Sequence, residues 1–293
     1  MNKSQWIVAG AALILTIGLY AATQDQLFGH HPKTEAGGPP KDEHEGHAHA
    51  KGEEHAALTI DSILLHAKEA LAPAQQTRIN FLENSITRGN VPEQKIHVFH
   101  QLSRFWKDTA RIFEPYAWYS GEAARLENSE KSLTFAAHLF LDNLKFEQNG
   151  EMKGWKAAQA KDLFERSLVL NPANDSAKVG LGATYLFGFS DKPMEGIMKI
   201  REVVEKDSAN VYGQMTLGQA SMLSGQLDKA VERFLKVVRL DPKNLEAMLS
   251  LADVYEQQGN KSNAVIWYKQ TVPLIKIDGL KKEVEKRISD LSK

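Results

Sequence analysis

"LDKAVERFLKVVRLDPKN", residues Leu227–Asn244, nearly restates "WKAAQAKDLFERSLVLNPAND", residues Trp155–Asp175. Both stretches place Ala, then Phe four residues on, then Pro eight further: Ala160, Phe164 and Pro172 in one, Ala230, Phe234 and Pro242 in the other. On a common register the small residue falls at Ala160, Gly196, Ala230 and Ala264, with gaps of 36, 34 and 34. A large apolar residue follows each time, at Phe164, Ile200, Phe234 and Tyr268. The third position is Pro172, Ser208 and Pro242. Upstream stand Leu181, Gly182 and Tyr185, then Leu217, Gly218 and Gly225, then Leu251, Ala252, Tyr255 and Gly259.

This spacing has a physical meaning. Two antiparallel helices approach closely only where a Gly or Ala stands at the crossing, and a large residue one turn on fills the next layer. Pro242 ends the second helix because its ring cannot continue it. One such hairpin cannot bury its own apolar face, and stacked neighbours can, which is why the message repeats.

The pattern resembles the tetratricopeptide repeat (TPR), L-G-x-x-Y…A-x-x-x-F…P at a period of 34. The match is strongest over residues 160–271. The segment around Leu133–Phe146 lacks the Leu-Gly signature and is joined to the first Ala-Phe-Pro helix by a longer loop, "EQNGEMKGW". The second unit carries an insertion near "GFSDKP" and Ser208 in place of Pro. The last has Pro273 in place of a closing proline at Lys276, then a polar capping helix, "LKKEVEKRISDLSK".

The resemblance implies an all-α solenoid that binds proteins or peptides and does no chemistry. It also implies inward-facing positions on the first helix of each unit. These are Val179, Ala183 and Leu186, then Tyr212, Met215, Gln219 and Met222, then Leu249, Asp253 and Glu256. None is Lys, Arg or Asn, so capture of an acidic peptide tail is not expected. The centre of such a groove is apolar and Met-lined, hence adaptable, and its C-terminal end is acidic.

Before the repeats, apolar residues recur at three and four, not two, so helices are expected from Leu58 onward. Thr59 caps the first, Pro73 opens a second, and Pro92 opens a third running through "EQKIHVFHQLSRFWKDTARIF". The aromatics between Phe99 and Tyr119 read as core, because a stripe at helical spacing packs inward. His97, His100 and His138 read as packed or surface residues; neither His97 nor His100 has an acidic or histidine partner four residues on.

The N-terminus differs. Ser4–Gln24 carries no charge, and "WIVAGAALILTIGLYAA", Trp6–Ala22, is nearly all apolar. At ~1.5 Å per residue the uncharged stretch spans roughly 30 Å, the depth of a bilayer core. Tyr20 fits a signal-peptidase site poorly, so a retained transmembrane anchor is expected, with the N-terminus inside and the body beyond the cytoplasm. Residues 25–57 lack periodicity and hold His30, His31, His44, His47, His49 and His55. They read first as a polar tether of roughly 30 Å. The second reading is a weak divalent-metal tract on His44, His47 and His49, since neutral imidazoles ligate zinc, copper or nickel.

The expected organisation is therefore an anchor at 1–24, a tether at 25–57, a helical N-terminal region at 58–148, repeats at 149–275 and a cap at 276–293. The chain has 36 basic and 37 acidic residues among 293, so no net field points to nucleic acid. It has no cysteine, which excludes disulfides and thiol chemistry. Phosphate-loop, dinucleotide and nucleophile-elbow motifs are absent, so no catalytic residue and no resident cofactor is expected. An adaptor at the bacterial inner membrane with its body in the periplasm is the first functional expectation. A metal-handling protein docked by its solenoid is the second.

Overall fold

The structure, a computed structural model, describes residues 58–88 and 91–293. The apolar span at 4–24 and the histidines His44, His47 and His49 lie outside the described residues. Among the described residues no helix is long and apolar enough to cross a membrane.

The described chain is all helix and turn, as its periodicity requires. The helices are α1 (Ile60–Glu69), α2 (Pro73–Arg88), α3 (Pro92–Arg104), α4 (Phe113–Glu127), α5 (Glu130–Leu144), α6 (Gly150–Leu170), α7 (Asp175–Gly188), α8 (Pro193–Lys206), α9 (Val211–Leu223), α10 (Leu227–Leu240), α11 (Leu245–Gln257), α12 (Lys261–Thr271) and α13 (Asp278–Leu291). From α3 onward they pair as successive hairpins, with α3, α5, α7, α9 and α11 as first members. Helix α13 closes the stack against α12.

The crossings follow the small residues. A Cβ on Gly196 would lie 2.3 Å from the carbonyl oxygen of Gly182, so α7 and α8 meet backbone to backbone. On Gly218 it would lie 2.5 Å from the Phe234 ring, which occupies the layer the repeat pattern assigns it. Phe164, Ile200, Phe234 and Tyr268 are all fully buried.

Between hairpins one turn recurs. Asn171, Asp207 and Asp241 accept from the amides of Ala173, Ala209 and Lys243. Three residues on, Asn174, Asn210 and Asn244 cap the next helix by accepting from Ala177, Gly213 and Ala247. Each cap fills one of the orphan donors at a helix start, typically worth about 1 kcal/mol. Because the Asx side chains shape the turn, Ser208 replaces proline without altering it.

Two expectations change. The helix from Pro92 does not run on to Phe113: it opens into a π-helical turn at Phe105–Ala110 and ends at Arg111 in the left-handed conformation, φ 59°. Fully buried Trp106 anchors that turn. The loop "EQNGEMKGW" is mostly helix, because Asn149 caps the 21-residue α6 from Gly150. Hairpin α5–α6 thus straddles residue 148, where the repeats were expected to begin.

Candidate functional site

Helices α3 and α5 flank an open cleft of about 530 Å³ with α4 as its floor. Local sequence sets its width. The π turn at the end of α3 swings Lys107 and Asp108 to one rim. At the other end Asn128, with φ 47°, reverses the chain so that Ser129 caps α5 directly after α4.

The floor is polar. Ser103 and Ser120 share a hydrogen bond of 2.7 Å, and Ser120 also donates to the Tyr116 carbonyl. Lys107 Nζ lies 5.5 Å over the Tyr116 ring. Burial, then the charge of Asp108, pushes the Tyr116 phenol up, so it stays a neutral donor. His100 Nε2 meets Glu127 Oε1 at 2.6 Å and ties α3 to α4. His97 pairs with Gln101 at 2.9 Å. Two wall residues remain open. Phe135 of α5 is 57% exposed, and Arg104 of α3 makes no ion pair or hydrogen bond with any described residue. The cleft thus presents an exposed aromatic ring and a guanidinium along with the hydroxyls of its floor.

The ten positions implied to line a groove lie elsewhere. Val179, Ala183 and Leu249 have no exposed surface, and Met215 retains 7%. Met215 packs in the core with Phe234, Leu251 and Val254, and Met222 packs against the same group. Met215 is therefore core and does not line an open groove. Leu186 is half-buried. Gln219 donates to Glu246 at 2.9 Å.

Tyr212 explains the burial of Val179. It packs against the core group that holds Val179 and reaches past α7 to the His138 ring at 5.6 Å. His138 also meets Phe164 edge-on and pairs with Ser176 at 3.2 Å. Burial, then the charge of Lys145, lowers the His138 pKa against the opposing pull of Asp142, so its ring is neutral. The buried Tyr212 hydroxyl has no hydrogen-bond partner among the described residues, and burial pushes its pKa up. Asp253 and Glu256 do not form an open acidic rim, because Tyr268 and Arg287 occupy them.

The sequence carried one overlooked signal for the cleft. Phe135 falls off the buried stripe of α5, which runs through Leu133, Ala136, Ala137 and Phe140. A large aromatic outside its helix's apolar face marks an exposed contact.

The sequence profile of the TPR repeat matches residues 218–259, from Gly218 on α9 to the turn after α11. No curated protein sequence matches the chain significantly. Among solved structures, YrrB, described as a TPR protein with an unusual peptide-binding site, is 17% identical, with 70% of this chain and 97% of that chain covered and a TM-score of 0.41. MamA 41-end from Desulfovibrio magneticus RS-1 is 22% identical, covering 61% and 94% at a TM-score of 0.43. TTC0263, a thermophilic TPR protein from Thermus thermophilus, is 12% identical, covering 69% and 99% at a TM-score of 0.49. The profile match and the hairpin register together identify the described body as an all-helical, TPR-like solenoid with a TPR repeat at residues 218–259.

Proposed function

We propose that the protein is a non-enzymatic adaptor that holds a protein or peptide partner in the cleft between α3 and α5. The observation that carries this reading is the open cleft itself, where Phe135 and Arg104 face solvent while Val179, Ala183, Met215 and Leu249 are packed away. An exposed aromatic beside an Arg is the composition that dominates binding energy at protein interfaces. In this proposal the uncharged span Ser4–Gln24 anchors the chain in the bacterial inner membrane, and residues 25–57 tether the body on the periplasmic side. The length and apolarity of that span support the placement, and an accessory role in envelope assembly accords with it.

The test is a crosslinked pull-down from intact membranes with Phe135→Ser combined with Arg104→Glu. Both side chains lie on the surface, where substitutions usually change stability by less than about 0.5 kcal/mol. The variant is expected to melt as the wild type does and to lose the partner. Retained binding sinks the cleft assignment.

A further inference from the structure

Four polar side chains meet where the last hairpin receives the terminal helix. Asp253 and Glu256 come from α11, Tyr268 from α12 and Arg287 from α13. The fully buried Tyr268 places its Oη in hydrogen-bond contact with Asp253 Oδ1 and 3.2 Å from Glu256 Oε2. Arg287 Nε donates to the same Glu256 oxygen at 2.8 Å. The phenol has one hydrogen, and ionised carboxylates only accept. Two carboxylate contacts at one hydroxyl therefore need one more proton. Arg287 fixes Glu256 as the ionised partner, which leaves Asp253 to carry it.

We propose that Asp253 holds a proton when the cap is closed, donating to Tyr268 Oη while Tyr268 donates to Glu256, and that this proton fastens α13 to the last hairpin. Every donor and acceptor in the chain Asp253, Tyr268, Glu256, Arg287 is then matched. When Asp253 ionises, Tyr268 turns its hydrogen to Asp253, and its oxygen faces Glu256 with no proton between them. The cap is then held less tightly.

The electrostatics agree in sign. Burial pushes the Asp253 carboxyl up to about 6, against the Tyr268 hydrogen bond and the charge of Arg287, while Glu256 and Glu283 add to the rise. Those four groups come from α11, α12 and α13, the elements packed around it. A carboxyl whose folded value lies above its unfolded value of about 3.9 binds its proton more tightly in the closed state. The stabilisation is complete below about pH 3.9 and is lost progressively as the pH rises through about 6. Most carboxylates behave in the opposite way, so the cap should tighten where acid loosens the rest.

Hydrogen exchange at the amides of α13 in the full chain, corrected for intrinsic rates, tests this between pH 5 and pH 7. Opening of α13 is expected to rise roughly tenfold across that window. Asp253→Asn keeps a donor toward Tyr268 at every pH, so its α13 protection is expected to be flat. Wild-type protection that is flat or rises toward pH 7 overturns the proposal, as does an unchanged slope in Asp253→Asn. If that variant does not fold, the carboxyl ¹³C titration of Asp253 in the wild type decides. A midpoint near 6 supports the shared proton, and one at or below about 4 removes it.

Discussion

The Tyr212 ring of α9 lies 5.6 Å from that of His138 of α5, tilted by 55°, although α7 stands between their helices. The contact joins alternate repeats, which in a stack of hairpins ordinarily touch only their neighbours. The Tyr212 ring also packs against the core group that holds Val179. The Tyr212 hydroxyl is buried with no hydrogen-bond partner among the described residues.

Removing that hydroxyl should therefore help. Tyr212→Phe is expected to raise stability by about 1 kcal/mol, since an unsatisfied buried hydroxyl costs of that order. Tyr212→Ala, which deletes the ring, is expected to lower it by about 3–5 kcal/mol. Urea melts of the three proteins check both signs, and a loss in Tyr212→Phe means the hydroxyl has a partner.

Glycines at two positions should answer oppositely. Gly196→Ala drives a methyl into the backbone of α7, so a loss of about 1–3 kcal/mol is expected. Gly154 lies within α6 with nothing within 4 Å of its would-be Cβ. Gly154→Ala should gain about 0.5–1 kcal/mol from helix propensity alone. Equal effects at the two sites, read from thermal melts, contradict the crossing described for α7 and α8.

Lys156 gives the body an acid limit. Its side chain is 2% exposed, with Nζ 2.9 Å from Glu114 and 2.5 Å from Glu147, and 5.6 Å over the Phe113 ring. Burial alone pushes Glu147 up, but the bond and charge of Lys156 and the Asn149 amide outweigh it and hold the carboxyl below its ordinary value. Such a group stabilises the fold above its unfolded pKa, and that contribution is lost as the pH falls through the folded value. Wild-type stability should drop below about pH 4.5. Lys156→Met should cost about 3–5 kcal/mol near neutrality, where it leaves two carboxylates facing each other, and less in acid. A cost that does not shrink in acid contradicts this role.

The repeat was legible because sterics at a helix crossing admit few residues. Gly182, Gly196, Gly218 and Ala230 are small for a reason visible in one dimension, and Phe234 follows from the gap they leave. The helical N-terminal region was legible as period but not as shape. Nothing in "SRFWKDTARIF" announces a π turn, whose cause is the burial of Trp106 against distant helices. The groove positions were carried over from the inward-facing register that the repeat resemblance implies. Spacing places Met215 and Tyr212 on one face but cannot say whether neighbours cover it. That depends on side chains far apart in the chain, such as Leu251 and Val254 against Met215 and His138 against Tyr212.

The central claim is that partners are held in the cleft between α3 and α5. A photo-crosslinking residue at position 135, compared with one at Val169, which is 82% exposed on α6, tests it most directly in intact cells. The account predicts a discrete crosslinked partner from position 135, none from position 169, and loss of the first when Arg104→Glu is added. The same partner captured at position 169, or captured at 135 regardless of Arg104, would contradict it.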